Sequence, residues 1–580
     1  MIDCLLIGQS DADFDRHVRT LKFSFGANSG AYQDLDYAFV TYKGRHYRAL
    51  ELLNVINADR LASPLSNMDF LWPTIAVLGS FLHKHGLTFD YVNRYSYEKD
   101  LLREKLRSNR YRVIALSTTL YVMDTPIRDI IRFIRECGCD TPVVVGGPYI
   151  RNRMAEADIT LVDKEFKSIG ADLYVNNAEG QMTLVNTIRC LQQNLPLSSV
   201  TNLIWRADLA GQQPVLTAPV SVQSAVGKVI PISGGSEATG GRGKHFVFNP
   251  YEPEDNPLQD NLVDFSLFRK EDVSRFYSLS TAKSCPFACS FCCFPARAGE
   301  YRYIDVPVVE EYLNRIKSLG VHTLTLLDDT FNVPKTRFKD ILRMMIRNRY
   351  GFRWNSFYRS DQGDAETIDL MAESGCEGVF LGIESASDVM LKKMNKTSRR
   401  RHYEAAVPLL RKHGIHAHAN FIIGFPGETE ASVRESMDFI DEFQPDTYKA
   451  QLWYADNKSP IWKMKDELNI KGIGFRWSHD TMNSEEASVW LDTVLSSVKG
   501  SVFLPEDGCG QWSVFYLQRL GMSKSQVQDY LRAFEEGIRL KRTNPSQQEL
   551  PEALVQRLFK VGTFPGHGEI NQKSLMTHAA

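Results

Sequence analysis

Two long stretches of this chain alternate apolar runs of strand length with amphipathic runs of helix length, and that rhythm limits the folds open to it more than any other feature. The first stretch, from about residue 61 to 210, carries FDYVN, YRVIALST, TPVVVGG and ADLYVNN, separated by helical runs such as TPIRDIIRFIREC and GQMTLVNTIRCLQQ. The second, from about 264 to 455, carries FYSLSTAKSC, VHTLTLLDDT, FRWNSFYRS, CEGVFLGIES, IHAHANFIIGFPGE and DTYKAQLWYAD, again with helical runs between them. Such alternation calls for parallel strands whose crossover helices cover the sheet faces. The first stretch therefore reads as a doubly wound α/β domain and the second as a partial (β/α)6 barrel. In both architectures functional residues gather at the carboxyl ends of the strands.

These rhythms divide the chain into an N-terminal cap at 1–60, the doubly wound domain at 61–210, a linker at 211–263, the barrel at 264–455 and a C-terminal cap at 456–580. The linker is marked by the glycine-rich run SGGSEATGGRGK. At 580 residues more than one core is expected. With 68 Lys and Arg against 70 Asp and Glu, nothing in the charge points to a nucleic-acid partner. No apolar stretch is long enough to span a bilayer, and MIDCLLIGQSDADFD has no basic region ahead of its apolar run, so the expectation is a cytoplasmic protein without a membrane partner. Six of the ten cysteines, Cys4, Cys137, Cys139, Cys190, Cys376 and Cys509, are scattered without a framework spacing, which suits a reducing compartment.

The other four crowd into SCPFACSFCCFP, just after the first barrel strand. Cys285, Cys289 and Cys292 form C-x3-C-x2-C, with Phe291 directly before the last member. Three thiolates on a tight loop can ligate three irons of a [4Fe–4S] cluster and leave the fourth iron open. A zinc site would want a fourth Cys or His in a matching motif, which neither His245 nor His322 supplies. Small core residues beside a strand remain a third reading. Cys293 is set aside as a non-ligand, because the loop has its three ligands without it.

The cysteine spacing at the end of a first barrel strand resembles the radical S-adenosylmethionine (SAM) superfamily. The resemblance implies roles at the later strand ends. Asp328 and Asp329 of LLDDTFN stand where the family places acidic groups for the SAM amino group, although the common Gly-Gly-Glu form is absent. Arg359 of FYRSD would take the SAM carboxylate, a bidentate task suited to guanidinium. Glu384 and Ser385 of GIESAS would meet the ribose. Ile423 of FIIGFPGE would pack on the adenine.

In the first domain the strand ends read ALSTTLY, VVVGGPY and YVNNAEGQMT. Small, hydroxyl-bearing and glycine residues there let backbone N–H groups approach a large ligand at the edge of a parallel sheet. There is no G-x-G-x-x-G and no P-loop motif. The arrangement resembles the Rossmann-like cobalamin-binding domain that precedes the barrel in cobalamin-dependent radical SAM enzymes, a group in which the D-x-H-x-x-G cobalt-ligand motif is missing, as it is here. On that resemblance Ser117, Thr118, Thr119, Leu120, Tyr121, Gly146, Gly147, Pro148, Ala178, Glu179 and Gly180 would hold cobalamin, its dimethylbenzimidazole tail tucked into the sheet and its lower face near Leu120 and Tyr121.

Over nearly the whole chain, the pattern is most similar to the cobalamin-dependent P-methyltransferase family of phosphinothricin-type biosynthesis. What this implies is methyl transfer from SAM through methylcobalamin to an unactivated phosphinate phosphorus or sp3 carbon of a small or carrier-bound natural-product precursor, with a flavodoxin- or ferredoxin-like reductant as partner. A radical rearrangement or cyclisation without net methyl transfer, and a non-catalytic carrier of cobalamin or iron–sulfur, are the other readings. Tyr454, at the end of the last barrel strand, is a candidate catalytic residue. Trp477 and His479 could face substrate or simply pack, and Arg297, Arg302 and Lys449 are candidate anchors for an anionic substrate.

Overall fold

The computed structural model describes residues 1–10, 13–61, 64–66, 70–121, 123–212, 220–223, 229–232, 243–273, 276–505, 513–544 and 546–565. Most of the glycine-rich run, and Cys509, lie outside these residues. The chain forms two compact units, one of Met1–Ala12 with Phe70–Ser274 and one of Asp13–Asp69 with Arg275–Ala580.

The first unit is built on β1 (Ile2–Gln9), β2 (Phe89–Arg94), β3 (Tyr111–Ser117), β4 (Val143–Gly146), β5 (Leu173–Val175), β6 (Leu203–Arg206) and β7 (Phe246–Phe248). They lie in the order β7-β6-β5-β4-β3-β1-β2. The five strands β1 to β5 are parallel, while β6 and β7 join antiparallel at one edge. The parallel set thus has the doubly wound order 2-1-3-4-5, in which ligands bind beyond the carboxyl ends of the strands. The first residues are not part of a separate cap. Cys4, Leu5, Leu6 and Ile7 are at most 1% exposed, and a strand apolar on both faces belongs inside a parallel sheet. Residues Ile159–Ile169 form a helix, in which Asp158 accepts from the Thr160 N–H at its start and Gly170 takes φ +86° at its end.

The second unit carries β8 (Phe276–Leu279), β9 (Thr323–Leu326), β10 (Arg353–Tyr358), β11 (Cys376–Glu384), β12 (His416–Ile423), β13 (Thr447–Leu452) and β14 (Val502–Phe503). They pair in sequence order, all parallel. The first six are the expected barrel strands. The seventh comes from the segment expected to be a cap, so that segment extends the sheet as well as covering it. Helix Ser513–Arg519 closes the amino ends of the strands: Arg519 donates to Thr323 Oγ1 at 2.7 Å and pairs with Glu377, and a Cβ at Gly378 would run into the Phe515 ring. Among the described residues no helix is long and apolar enough to cross a membrane.

Residues 13–69 are tied to the C-terminal helices by a buried charge network. Lys541 on helix Lys524–Thr543 pairs with Asp36 at 2.8 Å, donates to the carbonyls of Asp36 and Phe39 at 2.7 and 2.9 Å, and lies over the Phe39 ring. Arg542 bridges Asp36 at 3.1 Å to Asp492 at 2.7 Å. Burial pushes the Lys541 ammonium down to about 8, while Asp36 opposes that shift. Removing one partner of a buried pair strands the other charge. Asp36→Asn is therefore expected to destabilise this unit by about 3 kcal/mol, lowering its melting temperature, and Asp36→Asn/Lys541→Met to recover part of the loss. A melting temperature unchanged in the single variant would contradict this.

Candidate functional site

The cysteines sit on a loop whose neck is closed by the short antiparallel pair Ala282–Lys283 and Arg302–Tyr303. Ser284 enters the loop at φ +68° and donates its hydroxyl to Gly299 O at 2.7 Å. The far side is stitched to the turn after helix Asp388–Lys393: Ser290 N donates to Met394 O and its hydroxyl to Lys393 O, both at 2.9 Å, and Asn395 Nδ2 donates to Ala288 O at 2.7 Å. Ile461 N also donates to Ser290 O at 2.8 Å. Cys289 is buried, and Cys285 and Cys292 are partly exposed. Burial pushes the thiols of Cys285 and Cys292 up; the Phe287 amide and Arg359 oppose this at Cys285, and the Phe294 amide opposes it at Cys292. Among the described residues no three His, Cys, Asp or Glu side chains could together hold a single metal ion. A cluster asks for something else, one thiolate on each of three irons. The Cys293 thiol bonds to Asp456, which is paired with Arg297 at 2.6 Å, and burial pushes that thiol up to about 11.

At the end of β10, Arg359 reaches the same loop. Its Nη1 lies 4.0 Å from Cys289 Sγ and its guanidinium lies 3.6 Å over the Phe287 ring. Asp361 holds it at 3.2 Å, and Thr397 accepts from Nη2 at 2.7 Å. Asp361 itself is fixed by the hydroxyls of Thr397 and Ser398; against its burial, Arg359 and then those hydroxyls keep its carboxyl well below the usual range.

The two aspartates after β9 have different surroundings. Asp328 is buried: it accepts from Thr281 N at 2.6 Å, Thr281 Oγ1 at 2.5 Å and Ala282 N at 2.9 Å. Its carboxylate holds the neck of the cysteine loop, at the position where the sequence leads one to expect a group for the SAM ammonium. Asp329 stands open at the strand end, close enough to Cys292 to raise that thiol. Its own carboxyl is lifted to about 6, first by the protein that displaces water from one side and then by Asp328 beside it.

Glu384, at φ +67°, lies 3.5 Å from Lys396, whose Nζ also donates to Gly382 O at 2.6 Å and sits over the Phe291 ring. Ser385 is fully buried, and its hydroxyl accepts from Ser387 N and braces a helix start. Ile423 is only 1% exposed, and a Cβ at Gly424 would strike Trp477. The turn after β12 is thus covered by protein. Phe425 from that turn meets Phe291 edge-on at 6.4 Å. Trp477 and His479 stack on each other at 5.1 Å and bond the carbonyls of Trp453 and Gly424, which makes them packing residues. Tyr454 is 55% exposed, with its ring edge against Phe475. Lys396, Asp361 and Phe287 were not singled out from sequence. Asp361 had the readable signal, two residues beyond Arg359.

In the first unit a cavity of about 290 Å³ lies at the strand ends. Ser117 and Thr119 after β3, Gly146 and Gly147 at β4, and Ala178, Glu179 and Gly180 after β5 line it. Helices Pro73–Lys84 and Gln181–Gln192 add Val77, Leu78 and Leu184, which were not foreseen. Gly147 has φ +109°, and a Cβ there would lie 2.9 Å from Thr118 Oγ1, so only glycine fits without strain. Four expected contacts do not line the cavity. Thr118 is buried, donating to Gly146 O at 2.9 Å and accepting from Tyr149 N at 3.2 Å. The Tyr121 hydroxyl accepts from Ser10 N, Leu120 is exposed, and Pro148 opens helix Pro148–Glu156.

Residues 279–440 match the model of the Radical SAM superfamily. Bacteriochlorophyllide d C-12(1)-methyltransferase of Chlorobaculum tepidum is 34% identical over 188 residues, 30% of this chain and 41% of that protein. The chain spans less than half the length of the first curated relatives it matches. OxsB, a cobalamin-dependent SAM radical enzyme solved with aqua-cobalamin and SAM bound, aligns over 99% of this chain and 78% of its own at a TM-score of 0.56 and 14% identity. TsrM from Kitasatospora setae, a radical SAM methyltransferase solved with cobalamin and a [4Fe–4S] cluster, aligns over 69% of this chain and 76% of its own at a TM-score of 0.50 and 18% identity. At these identities the likeness is one of fold. The chain carries a radical SAM domain over residues 279–440, set in a fold shared with OxsB and TsrM.

Proposed function

We propose that this protein is a cobalamin-dependent radical SAM methyltransferase that moves a methyl group from SAM, by way of the corrinoid, to an unactivated carbon or phosphinate phosphorus of a small-molecule precursor. The observation that carries the reading is the pairing, in one chain, of a stitched three-cysteine loop flanked by Arg359 and Asp329 with a doubly wound unit that keeps a cavity at its strand ends. The methyltransferase relative and the cofactors bound by OxsB and TsrM support it.

When bound, the cluster with SAM supplies one-electron chemistry and cobalamin supplies a transferable methyl group. The residues present fit both. Cys285, Cys289 and Cys292 would hold three irons of the cluster, on a loop that Ser290 and Asn395 stitch to the turn at Lys393 and Met394. Arg359, pre-oriented by Asp361 and stacked on Phe287, offers its remaining donors to the SAM carboxylate. Asp329, near Cys292, would meet the SAM ammonium. Glu384, steadied by Lys396, is the remaining acceptor for ribose hydroxyls. In the other unit Gly146, Gly147 and Gly180 bring bare backbone to the cavity, where a Cβ would crowd Val175 or Thr118, and would let a large ligand approach the strand ends.

Anaerobic reconstitution with iron, sulfide and hydroxocobalamin, followed by metal counting and an assay for S-adenosylhomocysteine and 5′-deoxyadenosine, tests the reading. About four irons and about one cobalt per chain with both products are expected; iron without cobalt would remove the corrinoid from the mechanism. Cys285→Ala/Cys289→Ala/Cys292→Ala should lose the iron and its visible absorption and retain cobalt, and iron retained in full would sink the ligand assignment. Because Asp329 loses its charge below pH 6, SAM affinity should fall by up to about tenfold between pH 7 and pH 5. Asp329→Asn should flatten that profile, and an unchanged profile in the variant would remove Asp329 from the site.

A further inference from the structure

The inner face of the sheet in the second unit carries a row of polar side chains. Phe515, on the helix that closes the amino ends of the strands, packs edge-on against His416, and a Cβ at Gly378 would meet both. Gly378 on β11 and His416 on β12 therefore face inward, and Thr447 on β13 joins them through its bond to His416. Side chains alternate along a strand, so Gly382 and Glu384, His418 and Asn420, and Lys449 and Gln451 share that face. Toward the carboxyl ends Gly382, Glu384, Asn420, Lys449 and Gln451 are partly open, whereas Leu381, Ile383, Phe421, Ala450 and Leu452 on the other face are buried. Register sets Gly382, Asn420 and Lys449 side by side. The Glu384 side chain turns back over Gly382, and Lys396 meets its charge at 3.5 Å. What the row itself presents is Asn420 and Lys449.

A buried chain of hydrogen bonds runs up to Asn420. His416 Nε2 and His418 Nδ1 each lie 2.9 Å from Thr447 Oγ1, and His418 Nε2 lies 3.2 Å from Asn420 Oδ1. The order of protons in this chain is set at its His416 end. Burial holds the His416 imidazole down to about 4, so it is neutral at pH 7 and has a single N–H. Its Nδ1 meets no partner among the described residues, and a buried donor is stranded less readily than an acceptor, so the hydrogen sits on Nε2 and goes to Thr447. Thr447 has one hydrogen of its own, which goes to His418 Nδ1. His418 then donates from Nε2 to Asn420 Oδ1. The Asn420 amide is thereby fixed with its carbonyl toward His418, which leaves its NH2 group, a pair of donors, for the open side of the row. Lys449 adds a cation about 5 Å away on the neighbouring strand. Of the other cations singled out in the sequence, Arg297 is paired with Asp456 and Arg302 lies in the neck of the cysteine loop. We propose that this row recognises the substrate by an oxyanion, a carboxylate or a phosphinate, held by the Asn420 amide and the Lys449 ammonium, and that His418 is the positioning residue that keeps Asn420 a donor. Glu384 is one pleat further along β11, about 7 Å on, so the held group lies beside the proposed ribose acceptor. This rests on the reading of the protein as an enzyme that acts on a small molecule, and it names a chemical group of that molecule.

The test is a saturation-transfer NMR titration of the reconstituted full-length protein, its iron and cobalt counted, with probes that share a propyl group: propylphosphinate, butyrate and the neutral butyramide. At least one anion is expected to bind roughly tenfold more tightly than butyramide, because hydrogen bonds to a charged oxygen are the stronger ones. The tighter anion then tells a phosphinate substrate from a carboxylate. Butyramide bound as tightly as both anions, or neither anion bound, overturns the oxyanion site; if iron and cobalt are in place, the methyltransferase reading still stands. Anion binding in a protein that takes up no cobalt keeps the site and removes the corrinoid. Lys449→Met should weaken the preferred anion about tenfold and leave butyramide unchanged. Asn420→Asp, close to isosteric, sets a carboxylate where the donors stood and should weaken the anion at least about tenfold. His418→Leu should weaken it about fivefold, and His418→Gln, whose amide nitrogen can stand in for Nε2, should restore it. Anion affinity that ignores Lys449 and Asn420 overturns the site. Full affinity in His418→Leu, or equal loss in both His418 variants, overturns the positioning role. Iron per chain, measured in every variant, confirms that the cysteine loop is intact.

Discussion

The cysteine loop depends on one buried carboxylate. Asp328 accepts from the amides of Thr281 and Ala282 and from the Thr281 hydroxyl, and so locks the exit of β8 against the end of β9. Arg337 closes the other half of the clamp. Its Nη2 donates to the Thr281 hydroxyl at 2.9 Å and its Nε to Ile304 O at 2.9 Å, while Ile304 N donates to Thr281 O. Both ends of the loop are therefore held at one point. Burial raises the Asp328 carboxyl, opposed by its hydrogen bonds and then by Arg337, and lowers the Arg337 guanidinium, opposed by the Asp328 charge. Two opposite charges joined through the Thr281 hydroxyl are costly to bury and fix the geometry around it. Here the geometry specified is the neck of the loop that carries Cys285, Cys289 and Cys292.

From that neck outward, each functional group is oriented by a second residue. Arg359 is aimed by Asp361, which is itself held by Thr397 and Ser398. Glu384 is steadied by Lys396, a buried lysine that also caps the Gly382 carbonyl and lies over Phe291. Phe291 in turn meets Phe425 from the turn after β12. A loop exposed on one side and required to hold three thiolates in register needs this support, because the entropy of an unsupported loop would scatter its ligands. The doubly wound unit achieves order differently. Its cavity is lined by backbone at Gly146, Gly147 and Gly180, and its rigidity comes from the strands beneath.

Much of the architecture was legible because parallel α/β folds write themselves as long periodic segments. The strands at Tyr111–Ser117, Val143–Gly146 and His416–Ile423 and the helices between them follow from apolar spacing alone. The N-terminal segment reads as a cap in sequence because eight residues of β1 precede a long excursion, Asp13–Asp69, that joins the other unit. A sequence window sees the excursion and cannot see that the strand returns to the middle of a sheet. Asp328 and Asp329 illustrate a similar limit. They are adjacent in sequence, but one points inward to Thr281 and the other stands open, and that choice is made by how β9 packs against β8.

By itself the sequence determined the chemistry on offer: three cysteines spaced for a cluster, an arginine and acidic groups at successive strand ends, and small residues at the edge of a doubly wound sheet. These are local facts, set by residue type and spacing. Only the tertiary structure decided which of those groups remain available. Ser385, Thr118, Asp328 and Ile423 are enclosed by hydrogen bonds or packing from segments distant in the chain, whereas Asp329, Arg359 and Glu384 keep an accessible side. The physical reason is burial, because a polar group removed from water takes the nearest partner, and which partner is nearest depends on contacts that no local pattern encodes.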